Sequence, residues 1–250
     1  MRLELRDVRK EFREDGRLTL AVDHLSFTVE AGEFVTLLGP SGSGKSTAFN
    51  LITGLITPDS GDILLDGQRI NGRTGLVGYM PQRDLLLAWR TLIGNVIIGA
   101  EIEHQPRDQA IRRARELLPL FGLEGFETAY PAQLSGGMRQ RAALLRTFLL
   151  QKEVMLLDEP FGALDALTRA DLQNWLLGVW LQFKPTVLFI THDVREAALL
   201  SDRVLIFTSR PGRVKEEIRI DLPRPRDDTS PDFVQMQTRL LRALQAEPTP

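Results

Sequence analysis

Four short segments of the chain are almost continuously apolar, and each is bounded by polar residues or by glycine. The first covers residues 34–38, and the others cover residues 154–157, 187–190 and 204–207. Apolar runs of this length that lack alternation are typical of strands buried on both faces at the centre of an α/β sheet. The pattern therefore predicts a core sheet whose strands lie far apart in sequence.

Other patterns precede and interrupt this sheet. Residues 3–8 and 25–29 alternate between apolar and polar, and Gly16 and Gly32 punctuate them, which predicts antiparallel strands and turns. Residues 85–150 are rich in helical patterns, and within residues 107–121 the apolar side chains share one helical face: Ile111, Ala114, Leu117, Leu118 and Phe121. We expect one α/β domain over residues 1–250, with a nucleotide-binding core (1–84 and 151–226) and a helical insertion (85–150).

The last part of the chain predicts a strand, a linker and a helix. Residues 214–220 have the pattern of a strand, whereas the prolines of residues 222–226 favour an extended linker. Ser230 is a suitable N-cap, with Pro231 at the first helical position. Helically spaced side chains follow: Phe233, Met236, Gln237, Leu240, Leu241 and Leu244. We expect an amphipathic helix within residues 227–250 that packs on its own domain and not on a membrane.

Composition excludes several classes of protein. Of the 250 residues, 43% are hydrophobic and 26% are charged, as in ordinary globular domains. The formal net charge of -2 gives no electrostatic case for nucleic-acid binding and leaves open only a local basic patch. The absence of cysteine excludes disulfides, thiolate catalysis and Cys-ligated metals. No apolar run approaches the roughly 20 residues of a membrane-spanning helix, and the N-terminus lacks a secretory pattern, so membrane association is expected to depend on a partner.

A glycine-rich stretch follows the first predicted core strand. It matches the pattern GxxxxGK[ST] and consists of Gly39, Pro40, Ser41, Gly42, Ser43, Gly44, Lys45, Ser46 and Thr47, with a predicted helix at residues 46–54. Such a loop points successive N–H groups at phosphate oxygens, and the helix dipole adds to the attraction. We expect Lys45 to contact the β- and γ-phosphates of ATP and Ser46 to bind Mg²⁺. The loop alone fits a kinase, a GTPase or a motor equally well.

Two carboxylates stand at the end of another predicted core strand. Asp158 and Glu159 follow residues 154–157 directly, at the edge where open α/β sheets bind their ligands. Asp158 is expected to hold Mg²⁺, and Glu159 is expected to be the general base that deprotonates the attacking water. Acidic residues after a strand are common, so the pair indicates a catalytic site only because the phosphate loop is also present.

A second predicted helix start also suits an anion. In the segment 134–141, LSGGMRQR, Ser135 is a suitable N-cap, and Gly136 and Gly137 expose backbone N–H groups. This segment resembles the LSGGQ signature of the ABC-transporter ATPases. The resemblance implies that these three residues contact the γ-phosphate of ATP held by a second copy of the chain, and therefore that the protein dimerises.

The resemblance to ABC-transporter ATPases extends over residues 3–226. It implies a P-loop NTPase (RecA-like) core sheet, an antiparallel N-terminal β subdomain and an inserted helical subdomain. It also implies single-residue roles: Phe12 stacks on adenine, Gln82 contacts nucleotide and Mg²⁺ where the sheet meets the helical insertion, Asp165 lies in the inter-subunit loop at the nucleotide, and His192 is the switch histidine near the γ-phosphate.

Each of these four residues has an ordinary alternative when it is taken alone. Phe12 would be a core residue, Gln82 a turn residue, Asp165 a helix cap, and His192 a capping or solvated histidine. Their joint order and spacing favour the family roles.

Further segments look like the importer ATPases of the nitrate, sulfonate and taurine type, including the thiamine-precursor systems. They are residues 131–133 (PAQ), 161–165 (FGALD), 209–212 (SRPG) and 222–226 (LPRPR). Two positions depart from the usual pattern. Met138 replaces a common glutamine, beside Arg139 and Arg141, which either offset the lost polarity or pair on the helix surface. Ala88 replaces a common proline before Trp89.

The resemblance implies an ATP-hydrolysing importer subunit on the cytoplasmic face of the inner membrane. Its implied partners are a second copy, two transmembrane permease subunits received at residues 83–95, and indirectly an external solute-binding protein. A soluble ABC ATPase acting on nucleic acid or ribosomes is the alternative; it is disfavoured because residues 82–134 contain no long coiled coil. A regulatory module without hydrolysis would not need Glu159 and His192, and a P-loop kinase would not need the signature segment.

Overall fold

The computed structural model describes residues 1–14, 16–162 and 164–246. The strands are β1 (Leu3–Glu14), β2 (Arg17–Val29), β3 (Phe34–Leu38), β4 (Ser60–Leu65), β5 (Gln68–Arg69), β6 (Gly78–Met80), β7 (Val154–Asp158), β8 (Thr186–Thr191), β9 (Arg203–Phe207) and β10 (Val214–Arg219). The helices are α1 (Lys45–Ile52), α2 (Leu92–Val96), α3 (Ile98–Ile102), α4 (Arg107–Leu117), α5 (Gly136–Leu149), α6 (Ala166–Phe183), α7 (Val194–Leu200) and α8 (Pro231–Gln245), with a 3₁₀ turn at Pro131–Gln133.

The chain forms two compact units. The first unit consists of Met1–Val77 and Pro185–Pro250, and the second consists of Gly78–Lys184. The predicted Ala163 of the inter-subunit loop and the tail residues 247–250 lie outside the described residues. Within the described part of the chain, every helix is too short or too polar to span a bilayer.

The first unit contains the predicted antiparallel sheet. Its strand order is β2-β1-β4-β5, and β1 pairs with β2 from Leu3 opposite Val29 to Glu14 opposite Arg17. Both strands extend well beyond the predicted residues 3–8 and 25–29, to a turn at Gly16, whose φ is 76°. Register shifts interrupt the pairing, which explains why strict alternation covers only part of each strand.

The first unit also contains the predicted core strands 34–38, 187–190 and 204–207. The strand β3 pairs in parallel with β8 on one side and β9 on the other, and all five of its residues are buried. At the carboxyl end, Leu38 lies opposite both Thr191 and Ile206. The loop after β3 and the residues after β8 therefore leave the sheet at the same edge, which is where such sheets bind ligands.

The second unit combines a pair of parallel strands with helices. The strands β6 and β7 pair from Gly78 opposite Met155 to Met80 opposite Leu157, so the residues that follow them emerge side by side. An aromatic cluster lies among the helices, where the Phe121 ring contacts Trp175 with 4.8 Å between ring centroids. The helix α4 ends at Leu117, short of the predicted residue 121, because Pro119 has no N–H to continue the helix.

The C-terminal elements follow the predictions closely. The helix α8 begins at Pro231, and the Ser230 hydroxyl accepts a hydrogen bond from the backbone N–H of Phe233 at 3.3 Å. Phe233 and Leu240 are fully buried, whereas Leu241 is half exposed. The helix packs against α7 and β9 of its own unit.

Candidate nucleotide-binding site

The phosphate loop joins β3 to α1, and its glycines are required by close contacts. Gly44 has φ of 92°, and a Cβ there would lie 2.5 Å from the carbonyl oxygen of Ala21. A Cβ on Gly39 would lie 2.8 Å from Cβ of Phe207. Since real Cβ atoms do not approach so closely, neither position accepts a side chain without moving the neighbouring strands.

Lys45 is buried inside the curve of this loop. It is 5% exposed, and its ammonium donates to the carbonyl oxygens of Gly39 and Pro40, both at 2.8 Å, and to Oγ of Ser43 at 3.1 Å. The first turn of α1 follows, with Ser46 exposed and Thr47 half-buried. The loop therefore concentrates one cation and a helix N-terminus at one point, as phosphate binding requires.

The segment 209–212 supports the phosphate loop, a contact that the sequence analysis did not foresee. Gly212 hydrogen-bonds to the carbonyl oxygen of Ala21 at 2.9 Å. A Cβ on Gly212 would lie 2.3 Å from the carbonyl oxygen of Ser43, so only glycine fits there. Nη2 of the exposed Arg210 lies 4.0 Å from the position that a Cβ on Gly42 would take. No local sequence pattern signals these contacts.

His192 leaves the sheet directly after β8 and is exposed. Its neighbours fix the backbone on both sides. The Thr191 hydroxyl accepts from the backbone N–H of Asp193 at 3.0 Å, and Oδ1 of Asp193 accepts from the N–H of Arg195 at 2.7 Å. Asp193 is therefore the N-cap of α7, so the alternative in which His192 caps this helix is wrong.

Phe12 lies on β1 opposite Thr19, near the turn of the hairpin. Its side chain is half-buried, and the Lys10 ammonium lies 5.8 Å from the ring centroid. The ring is therefore partly accessible instead of being enclosed in the core, and its predicted stacking on adenine stays a prediction.

The two predicted carboxylates stand at the end of β7 in the second unit. Asp158 is 5% exposed and accepts a hydrogen bond from the hydroxyl of Tyr79 on the neighbouring strand. Burial, together with the charge and hydrogen bond of Asp158, raises the pKa of Tyr79 to about 12. Tyr79 therefore remains a donor at neutral pH and orients the Asp158 carboxylate, a role that no local sequence pattern signals.

Glu159 and Gln82 meet at this edge. Nε2 of Gln82 donates to Oε2 of Glu159 at 3.2 Å. Glu159 has φ of 44°, in the left-handed region that is strained for a residue with a side chain. Strain of this kind, of order 1–3 kcal/mol, clusters at functional sites because the surrounding structure must impose it.

The signature segment opens α5 as predicted. The Ser135 hydroxyl accepts from the backbone N–H of Met138 at 3.2 Å, and Ser135 itself is exposed. A Cβ on Gly137 would lie 2.7 Å from Cγ2 of Thr168, and one on Gly136 would lie 3.6 Å from Cδ2 of Leu164. The segment therefore packs closely against the start of α6.

Two other predictions fall on this part of the second unit. Nε of Arg139 forms an ion pair with Asp84 at 3.2 Å, so Arg139 pairs on the protein surface, as one of the two alternatives held. Oδ1 of Asp165 accepts from the N–H of Thr168 at 3.1 Å and caps α6. This hydrogen bond lowers the pKa of Asp165. Asp165 is exposed, so a cap and a nucleotide contact are compatible.

Residues 83–95 form a loop followed by the start of α2, and this segment carries two exposed apolar side chains. Trp89 is 75% exposed and Leu85 is 57% exposed. Asn95 is buried, and its amide donates to the carbonyls of Leu87, Arg90 and Thr91 at 3.0–3.1 Å. Asn95 therefore fixes the loop shape although Ala88 replaces a common proline.

Each residue predicted to hold Mg²⁺ offers an oxygen atom of the kind that a hard cation binds. Ser46 offers an exposed hydroxyl, Asp158 a carboxylate, and Gln82 an amide oxygen that is not used in its bond to Glu159. All three are oxygen donors, which Mg²⁺ prefers. Among the described residues, no group of three or more His, Cys, Asp or Glu side chains could hold a metal ion.

Comparison with known proteins identifies one family for the chain. The family described as ABC transporter matches residues 22–162. An aliphatic sulfonates import ATP-binding protein from Bacillus thuringiensis is 38% identical over 97% of this chain and 95% of its own length. A formylaminopyrimidine import ATP-binding protein from Halalkalibacterium halodurans is 47% identical over 83% of this chain and 82% of its own.

A solved structure extends the likeness to the fold. It is the dimeric structure of an ATP-binding cassette in a post-hydrolysis state, bound to ADP and Pi, with a TM-score of 0.76 and 28% identity. The match covers 88% of this chain and all of that one. The predicted α/β fold with its antiparallel N-terminal sheet is confirmed. The chain belongs to the ABC transporter family, among its ATP-binding and ATP-hydrolysing cassettes.

Proposed function

We propose that the chain is the ATP-hydrolysing subunit of a membrane importer and that it acts as a dimer closed by ATP. The observation that carries the proposal is the presence of two anion-binding helix starts. Lys45 opens α1 behind a phosphate loop, and Ser135 caps α5 ahead of two glycines. A kinase needs only the first. The relatives named as import proteins support the same assignment.

The dimer follows from the role proposed for the signature segment. ATP bound by the phosphate loop of one copy would be completed by Ser135, Gly136 and Gly137 of the other. The solved relative described as dimeric supports this arrangement. Two copies would therefore hold two nucleotides and separate once hydrolysis removes the γ-phosphate.

The proposed reaction is attack of water on the γ-phosphorus, which breaks the bond to the oxygen bridging the β- and γ-phosphates and releases ADP and phosphate. Glu159 takes the proton of the water, and the Gln82 amide orients its carboxylate. The Lys45 ammonium, already desolvated by the loop, neutralises phosphate charge, and His192 stabilises the charge that develops on the γ-phosphate. Phe12 stacks on the adenine, and Asp165 contributes from the inter-subunit loop.

Mg²⁺ held by Ser46, Asp158 and Gln82 would screen the charge of the phosphate oxygens. Tyr79 has a supporting role, since its hydroxyl fixes the orientation of Asp158. These assignments leave each residue with a task suited to its chemistry.

Residues 83–95 are the proposed contact with the permease. Trp89 and Leu85 offer an apolar surface on a loop that the buried Asn95 holds in shape. Aromatic side chains such as that of Trp89 are enriched at protein–protein interfaces. Two permease subunits would place the chain at the cytoplasmic face of the membrane, with an external binding protein delivering the solute.

The proposed cargo class comprises small solutes such as nitrate, sulfonates, taurine or a thiamine precursor. The names of the two relatives support sulfonates and formylaminopyrimidine as members of this class. The binding protein and the permease recognise the solute, so this chain supplies the same ATP chemistry whichever solute is carried.

The experiment is reconstitution of the chain with its permease in liposomes. Phosphate release should rise when a binding protein loaded with its solute is added, and uptake of that solute should require ATP. Hydrolysis that is indifferent to the permease, or association with ribosomes or DNA in its place, would contradict the proposal.

A further inference from the structure

Arg226, in the linker of residues 222–226, is buried against the end of α7. It is 9% exposed, and its guanidinium donates to five backbone carbonyls at 2.7–3.2 Å. These carbonyls belong to Ala198, Leu199, Ser201, Ile220 and Leu222. A surface arginine does not need so many internal acceptors, so this one joins the linker to the helix.

Arg224 completes the same end of the helix. Its Nη2 donates to the carbonyl oxygen of Leu200 at 2.7 Å, and its Nη1 bonds to the carboxylate of Asp202. The last carbonyls of a helix have no partner within the helix. Here two guanidinium groups supply the partners, and their positive charge also suits the negative end of the helix dipole.

The other end of α7 is tied to the same part of the chain. Nε of Arg195, in the first turn of α7, donates to Oδ2 of Asp228 at 2.9 Å, and Nη2 of Arg195 bonds to the same oxygen. Side chains of residues 224–228 therefore bond to both ends of α7. We call Arg224, Arg226 and the pair Arg195–Asp228 the α7 clasp.

The helix α7 begins two residues after His192. It has seven residues, and helices of that length are not stable alone, so tertiary bonds set its orientation. Thr191 and Asp193 connect the backbone of His192 directly to this helix. Any rotation or shift of α7 would therefore move His192.

We propose that the α7 clasp positions His192 for hydrolysis, so that Arg224, Arg226, Arg195 and Asp228 are positioning residues of the ATPase. The proposal rests on the role given above to His192. It assigns a function to the LPRPR segment, which the ATP-binding machinery does not use. Loss of the clasp should lower kcat while the affinity for ATP, which depends on the phosphate loop, is retained.

The first test uses Asp228→Asn and Arg195→Gln, which break an ion pair at the surface. For each, kcat should fall on the order of tenfold because small displacements of a catalytic group are costly, whereas KM and ATP binding stay within about twofold. The charge swap Arg195→Asp with Asp228→Arg should restore most of kcat. Asp62→Asn, which breaks the exposed pair of Asp62 with Arg69 at 2.7 Å, is the matched control and should behave as wild type.

The second test asks whether the effect passes through His192. In a His192→Ala background, Asp228→Asn should cause no further loss of kcat. A similar loss in both backgrounds would show a merely structural contribution and overturn the proposal. Wild-type kcat for Asp228→Asn, with His192→Ala strongly impaired, would also overturn it while leaving the proposed function intact.

Wild-type activity of His192→Ala would instead show that His192 has no role in hydrolysis. That result would also overturn the proposal for the α7 clasp. Arg226→Lys provides an independent measure, since lysine keeps the charge but cannot reach five acceptors. It should lower kcat more than Asp228→Asn does. If Arg226→Lys does not fold, the Arg195 and Asp228 variants decide the question by themselves.

Discussion

Nε2 of Gln82 donates a hydrogen bond to Oε2 of Glu159 at 3.2 Å, across 77 residues of sequence. This bond orients the carboxylate proposed as the general base. Glu159→Gln should therefore reduce hydrolysis by about 10²-fold or more, because the amide cannot accept the proton of water. ATP binding and a persistent dimer should remain, as size-exclusion chromatography with ATP can show. Glu153→Gln at the approach to β7 is the control, and normal turnover of Glu159→Gln would exclude Glu159 as the base.

Lys45→Ala should abolish ATP binding, hydrolysis and ATP-driven dimerisation together. Lys45→Arg should fail nearly as completely, because three acceptors at 2.8–3.1 Å enclose a compact ammonium and leave no space for a guanidinium. Calorimetric titration with ATP measures the effect. Lys152→Ala, at a surface pair with Glu103, serves as the control. An active, strictly monomeric Lys45→Ala protein would contradict the shared site.

Gly137→Ala tests whether the signature glycine serves packing or nucleotide binding. The new Cβ would meet Cγ2 of Thr168 at 2.7 Å, so stability should fall by about 1–3 kcal/mol. Adding Thr168→Ser removes that methyl group and should restore the free energy of unfolding in urea. Hydrolysis should stay low in the double variant if the backbone N–H groups face ATP. Recovery of both the free energy of unfolding and hydrolysis would show that Gly137 is needed only for packing.

Ionisation of Tyr79 should lower the free energy of unfolding at alkaline pH. Its pKa of about 12 in the folded protein lies above the ordinary value of 10.0. The stabilisation from protonated Tyr79 is therefore complete below about pH 10 and is lost as pH rises towards 12, since the unfolded chain releases the proton first. Between these limits the unfolding free energy of wild type should decline more steeply than that of Tyr79→Phe. Equal slopes would exclude the raised pKa.

Trp89→Ala should separate transport from ATP chemistry. The side chain is 75% exposed, so its removal should leave the stability and the basal hydrolysis of the isolated chain unchanged. Binding to the permease and stimulation by it should decrease, because an exposed aromatic side chain is a typical interface anchor. Leu241→Ala on α8, at a half-exposed apolar position, is the control. Full permease stimulation of Trp89→Ala would place the interface elsewhere.

The sequence alone determined the elements whose signals are local. The run of residues 34–38, the glycines before Lys45 and the cap at Ser135 each reside in a few consecutive positions, and each was found where it was predicted. The order of such motifs was enough to identify the family and to predict the α/β fold. Element ends were less certain: α4 ends at Leu117, before Pro119, which has no N–H to continue the helix, although the apolar pattern extends to residue 121.

Only the tertiary structure decided which distant residues meet. Gly212 lies against Ser43, Tyr79 donates to Asp158, and Arg226 bonds to the end of α7. Each contact depends on how strands and helices pack, and nothing in the neighbouring sequence specifies the partner. The Arg-Pro-Arg linker shows the same dependence. In the sequence it is only a feature shared with a family, whereas in the folded chain its guanidinium groups bond to the helix that follows His192, because a buried charged group requires hydrogen-bond partners and the fold determines which carbonyls are near.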